Sequence, residues 1–267
     1  TGSGKTRAGF RVMSALRGGR PRFVLGLGLG ALARQQGQEY RQEIGLSVDE
    51  VAILVGARHG GRGVDQESGA GSSTFGFERN PVGGTNSITS VIAPLADTDR
   101  RLIETPVVVG TIEHVIEAVN ADRAAHVTAM ARLMTSDLLI DEVDIFQAGD
   151  LHAIARLVYL VGVFGNRVVL SSATLSPELV EGLFRAYERG YHEYRNAHGQ
   201  GRLAAGWCAN IDGATHTEWL EDTEQFVATH ARTARTMADA IKARTAQQPA
   251  RRFGVVHLEG MIGASRT

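Results

Sequence analysis

The chain has a single cysteine, Cys208, and only two lysines, Lys5 and Lys242. One thiol cannot build a disulfide framework or a cysteine-based zinc site, and it fits a reducing, cytoplasmic setting. No apolar run approaches the roughly 18 residues that a membrane-spanning helix needs, so no membrane partner is expected. The opening residues, Thr1-Gly2-Ser3-Gly4-Lys5-Thr6, contain neither an initiator Met nor a basic-then-apolar leader, so the natural start is expected upstream. The nine histidines include no His-Asp pair and no ligand pair at helical spacing, which argues against a metal-dependent nuclease centre in this stretch. Net charge is −1, so there is no global basic excess. Contact with nucleic acid would therefore rest on a local surface and on backbone amides.

What remains is an ordinary globular composition: 267 residues, 43% hydrophobic and 21% charged, long enough for one large α/β domain or one domain with an extension. Apolar strands alternate with helical patterns, the signature of a parallel sheet with helices on both faces. Helices are expected over Lys5–Leu16, Ala31–Ile44, Ile112–Val119, Ala124–Leu133, around Leu151–Val161, from Pro177 to about Asn196, and over Thr223–Thr245. Strands are expected over Arg22–Leu29, Val51–Val55, Val107–Val109, Leu138–Ile140, Val168–Leu170 and Phe253–His257. Residues 56–86, rich in Gly, Ser, Asn and Arg, read as a surface insertion, and the pattern over Ala197–Gly213 is weak.

Three motifs carry chemistry. Thr1 to Thr6 match the last six positions of G-x-x-x-x-G-K-[ST]. In that loop, backbone N–H groups curl round phosphate oxygens at a helix N-terminus. Thr1, Gly2, Ser3 and Gly4 would form the cradle, Lys5 would neutralise the β and γ phosphates, and Thr6 would offer its hydroxyl to Mg²⁺. In a chain so poor in lysine, Lys5 stands out. Second, the apolar run Leu138-Leu139-Ile140 delivers Asp141, Glu142 and Asp144 at the end of a strand, where open α/β sheets bind ligands. Asp141 would hold Mg²⁺, and Glu142 would orient the attacking water. Third, Ser171-Ser172-Ala173-Thr174 closes another strand in hydroxyls. In superfamily 2 helicases such a segment couples nucleotide state to lobe movement, here through Ser172, Thr174 and Asp144. A competing pattern, Gly28-x-Gly30-x-x-Ala33, fits a dinucleotide fingerprint. The next strand, however, ends Leu54-Val55-Gly56, with no acid for a ribose. Close backbone packing at a DNA-contact loop suits those glycines better.

In this order the motifs resemble the helicase–nuclease family of type I CRISPR systems, most like subtype I-F. Arg132–Asp144, Ser171–Phe184 and Val109-Gly110-Thr111-Ile112-Glu113-His114 carry the likeness, which extends from Thr1 to about Tyr194. It implies a P-loop (RecA-like) α/β lobe, truncated at its N-terminus, spanning residues 1–215. Residues 216–267 would be a helical link toward a second lobe. It further implies ATP and Mg²⁺ as cofactors, and catalysis by Lys5, Asp141 and Glu142. Single-stranded DNA would contact Gly28, Gly30, Arg34, Thr111 and His114. The expected partners are that DNA, a guide-RNA surveillance complex, and the second lobe and nuclease domain of the same polypeptide. Where the family carries an early Arg and Thr after the second strand, this chain has Gly30 and Ala31, which puts a side-chain phosphate contact there in doubt. Arg34 or backbone amides would substitute. Two alternatives stay open, a DEAD-box-like RNA helicase lobe and a non-catalytic nucleotide-binding module. Trp207, Trp219, Tyr187, Tyr191 and Tyr194 read as packing residues rather than base-stacking platforms, and His114 as equally suited to a packing role.

Overall fold

Strands form where β-branched and leucine residues run without polar interruption, because a parallel strand is covered on both faces. The computed structural model describes residues 4–55, 97–120, 124–172, 175–199, 201–208 and 215–247. It places five parallel strands in one sheet: β1 (Phe23–Leu27), β2 (Val51–Leu54), β3 (Val107–Thr111), β4 (Asp137–Asp141) and β5 (Val168–Ser171), in the order β2-β3-β1-β4-β5. β1, β3 and β4 lie inside the sheet, and β1 and β4 are buried at every position. β2 and β5 are the edges, and the four residues of β5 are only half-buried.

The helices are α1 (Lys5–Leu16), α2 (Gly30–Glu39), α3 (Asp97–Glu104), α4 (Ile112–Ile116), α5 (Ala124–Met134), α6 (Ala148–Val163), α7 (Pro177–His198) and α8 (Thr223–Gln247). Side-chain alternation along each strand sorts the core into two layers. Val24, Val108, Leu138 and Ile140 pack with α5, α6 and α7. Phe23, Leu25, Val107, Val109 and Leu139 pack with Met13 of α1 and with Tyr40. The expected helix over Ala31–Ile44 is present, but its end, Tyr40–Ile44, is wound as a π turn that Gly45 stops at φ 84°.

α7 begins as expected. Ser176 accepts a hydrogen bond from the Leu179 N–H at 3.2 Å, and Pro177 occupies the first turn. α7 crosses α6 at two glycines: a Cβ at Gly190 would lie 2.0 Å from the Tyr159 carbonyl oxygen, and one at Gly162 would lie 2.5 Å from that of Tyr187. Tyr187, Tyr191 and Tyr194 stack along one face of α7 at 6.0 and 5.8 Å, as the packing reading required.

The weak stretch after α7 contains a strand that the sequence did not announce, β6 (Leu203–Cys208), paired antiparallel with β7 (Thr215–Leu220) just beyond that stretch. Thr215, the last residue of the expected lobe, opens β7. Trp207 stacks on Phe226 at 5.8 Å, and Phe226 stacks on Phe184 at 3.8 Å. These rings fasten the hairpin and α8 to α7. Trp219 is 57% exposed, with Arg202 over its ring at 5.5 Å, so packing describes Trp207 and not Trp219. The 56–86 insertion and the Phe253–His257 strand lie outside the described residues.

Candidate functional site

Two contacts fix the direction of α1. Arg17, at its C-terminal end, donates to both carboxylate oxygens of Asp137, the first residue of β4, at 2.8 and 3.0 Å. Just over one turn into the helix, a Cβ at Gly9 would stand 3.2 Å from Leu139 Cδ2, halfway along β4. The helix therefore runs against the strand. From Gly9 back to Lys5 the helix rises about 6 Å, and from Leu139 on to Asp141 the strand advances about 6.6 Å. Gly4-Lys5-Thr6 and Asp141-Glu142 thus sit at the same end of the sheet, where the strands finish.

That helix start is unfinished as a piece of protein. Its N-cap, Gly4, is left-handed at φ 71° and supplies no side-chain cap, and the first turn holds no acid. The Ala8 N–H is the first to bond back, to the Gly4 carbonyl at 2.9 Å. The N–H groups of Lys5, Thr6 and Arg7 precede the helical ladder. A cation at a helix N-terminus opposes the dipole unless an anion lies beyond it. Among the described residues, nothing stands within 4 Å of a Cβ placed on Gly4. The donor set fits a phosphate group.

At the end of β4 the Asp141 carboxylate is 9% exposed and accepts the Glu142 N–H at 3.0 Å. The same N–H donates to the Ser171 carbonyl at 2.7 Å, which holds the exits of β4 and β5 together. Glu142 has φ 54° and is the single described non-glycine residue in the left-handed region. Such a conformation costs about 1 kcal/mol or more for a residue with a Cβ. Two residues on, the Asp144 carboxylate accepts the Ser172 hydroxyl, so the acidic turn and the hydroxyl turn are physically joined. Thr1, Gly2, Ser3 and Thr174 lie outside the described residues.

The residues expected to meet nucleic acid gather on the same rim. Leu27 and Thr111 are register partners at the ends of β1 and β3, and a Cβ at Gly30 would lie 3.8 Å from Thr111 Cγ2. Gly28 leaves room for Ile145: a Cβ there would stand 2.8 Å from Ile145 Cδ1. Arg34 is exposed one turn into α2. His114 is buried, and its Nδ1 lies 2.7 Å from the Thr111 hydroxyl. Its position is that of a support for Thr111 rather than a surface contact. Leu29 and Ile145, beside the two glycines, are 58% and 48% exposed.

The sequence is 38% identical over 229 residues to the CRISPR-associated nuclease/helicase Cas3 subtype I-F/YPEST of Pseudomonas aeruginosa, covering 79% of this chain and 21% of that protein. It is 34% identical to the Pectobacterium atrosepticum protein of the same description, over 86% of this chain and 23% of that protein. The chain is Cas3-like. It spans about a fifth of the length of these curated relatives. No protein-family model matches the Cas3-like chain. Its fold resembles the crystal structure of T. fusca Cas3-ATP, with a TM-score of 0.51 and 20% identity over 81% of this chain and 23% of that one. It also resembles T. fusca Cas3-ADP, with a TM-score of 0.50 and 20% identity over 72% of this chain and 20% of that one. At that identity the likeness shows the fold alone: the mixed α/β architecture expected from the strand–helix alternation, in the RecA-like form that the family resemblance implied.

Around the motifs of this Cas3-like chain stand residues that sequence reasoning passed over. Thr6 donates to Glu39 Oε2 at 2.9 Å, and Arg7 pairs with Glu43 at 2.9 Å. Tyr40 is fully buried, with its ring edge-on to Phe10 and Phe23 at 5.6 and 6.2 Å. Burial, and next the nearby Asp141 charge, push its hydroxyl pKa up, so the phenol stays neutral beside the acid. The only sequence signal for Glu39 and Glu43 is their four-residue spacing, which puts two acids on one face of the helix.

Proposed function

We propose that this Cas3-like chain is an ATP-binding helicase lobe that drives movement along single-stranded DNA in CRISPR interference. The antiparallel run of α1 against β4 carries the reading, because it brings the uncapped, basic helix start and the acidic strand end to one rim. The names of the relatives, nuclease/helicase, and of the solved neighbours, Cas3-ATP and Cas3-ADP, support the same assignment.

In this reading the N–H groups of Gly4, Lys5 and Thr6, with Ser3 and Gly2 before them, cradle the phosphates. Lys5 neutralises the β and γ oxygens, and Thr6 and Asp141 hold Mg²⁺. Held by these two residues, Mg²⁺ would supply charge compensation for the phosphates. Glu142 orients the attacking water and takes its proton. Asp144, Ser172 and Thr174 pass the state of the pocket to the neighbouring loop. Gly28, Gly30, Arg34 and Thr111 bind the DNA backbone, with His114 holding Thr111. The sheet and its helices serve as the first lobe, and the region from β7 onward as the link toward a second lobe that supplies further arginines. The recruiting partner is a guide-RNA surveillance complex.

The test is steady-state ATP hydrolysis by the intact protein, with and without single-stranded DNA. Wild type should be stimulated by DNA, and Lys5→Ala should lose roughly 100-fold or more, the scale set by removing one preorganised charge contact at a transition state. Equal hydrolysis by the two proteins would remove the reading.

A further inference from the structure

Of the described phosphate-loop residues Gly4, Lys5 and Thr6, Thr6 has its side chain already engaged. Its hydroxyl donates to Glu39 Oε2 at 2.9 Å across 33 residues of sequence. Gln35, one turn earlier on α2, donates to the other carboxylate oxygen, Glu39 Oε1, at 2.9 Å. The carboxylate is thus held from both sides. Directly behind it, Tyr40 is wedged among Phe10 of α1 and Phe23 of β1. On the next turn Arg7 pairs with Glu43 at 2.9 Å. Consecutive residues of the α1 first turn are therefore tied to acids one turn apart on α2 and its π turn.

We propose that Glu39 is a positioning residue that commits the Thr6 hydroxyl to act as a magnesium ligand. The proposal rests on the nucleotide reading above. A hydroxyl has one donor hydrogen and two lone pairs. With the hydrogen committed to a carboxylate, the oxygen can only accept. That suits a cation and does not suit a phosphate oxygen. Fixing the rotor in advance also removes the cost of ordering it when the ion arrives. The Glu39 charge acts in the same direction, since a carboxylate this close to Thr6 attracts Mg²⁺ and repels an uncomplexed phosphate. Glu39 should therefore strengthen the magnesium-dependent part of nucleotide binding and slightly weaken the magnesium-free part. A residue that only braced α1 against α2 would change both in the same direction.

The experiment is a fluorescence titration of the intact protein with a ribose-labelled ATP, in EDTA and across a MgCl₂ series, for wild type, Glu39→Ala and Glu39→Gln. Glu39→Ala should raise the Mg²⁺ concentration for half-maximal tightening by roughly 10-fold to 100-fold, the usual effect of losing an outer-shell partner. Its affinity in EDTA should be equal to wild type or tighter. Glu39→Gln keeps a carbonyl acceptor for Thr6 and should fall between the two. It also decides the matter if the alanine variant does not fold. An unchanged magnesium midpoint, or an equal loss with and without Mg²⁺, overturns the assignment while leaving the nucleotide site in place. Wild-type binding that ignores Mg²⁺ overturns both.

Discussion

At the base of the sheet, where the strands begin, Asp137 is fully buried and is held by both Arg17 nitrogens and by the Arg167 N–H at 2.9 Å. Beside it, buried Arg132 donates to the carbonyls of Leu102, Thr105, Phe23 and Pro106. At the rim, where the strands end, α1 starts without a cap, Glu142 is left-handed, and Leu29 and Ile145 face outward. The same strands thus join a buried, densely hydrogen-bonded polar cluster to a surface that leaves donors, charge and apolar area exposed. Conserving energy at one end and leaving it unspent at the other is how a scaffold holds a site that functions only when filled.

Four measurements sharpen or break that contrast. Asp137→Ala at the base leaves Arg17 without its buried partner and should cost about 3–5 kcal/mol in a denaturant titration. A loss under about 1 kcal/mol would mean that the base is no more finished than the rim. Glu142→Gly at the rim should have the opposite sign, gaining about 1 kcal/mol because glycine accepts φ 54° without strain, while ATP hydrolysis by the intact protein is lost. Stability unchanged or lowered would show that the turn is not strained.

The third measurement concerns the hairpin. The Trp207 indole donates to His230 Nδ1 at 3.0 Å, and burial lowers the His230 pKa. The folded state thus takes up this proton at a lower pH than the unfolded chain does. The contribution is complete above the unfolded value, near 6.5, and declines as pH falls from there toward the folded value. Tryptophan emission should therefore change below about pH 6.5, and His230→Phe should flatten the change. The smallest effect is that of Lys5→Ala on stability, a gain of a few tenths of a kcal/mol from removing a cation at a helix N-terminus. A clear loss by the same denaturant assay would mean that Lys5 is part of the scaffold.

Much of this architecture was legible because single-period patterns dominate it. The runs Phe23–Leu27, Val107–Val109 and Leu138–Ile140 have nothing polar to mislead, and Gly18-Gly19 and Gly45 mark the helix ends. The rim motifs were legible for the same reason, since each is a short string at the end of a strand. The hairpin was not. Its inward positions mix Leu203, Trp207 and Leu220 with His216 and Glu218, and its outward positions include Trp219, Ala204 and Gly206, so the usual polar-out alternation is blurred. The Thr6–Glu39 bond and the four-carbonyl role of Arg132 were also out of reach. Both join residues far apart in sequence, and neither leaves a local pattern.

An ATP-binding lobe of this kind requires Lys5 and Asp141 to act on one ligand. A double-mutant cycle, Lys5→Ala with Asp141→Asn, read as the affinity of the intact protein for ATP in the presence of MgCl₂, tests this directly. Two groups that share one phosphate–magnesium unit should show a coupling of about 1 kcal/mol or more. Additivity within about 0.3 kcal/mol would place them in separate sites and contradict the account.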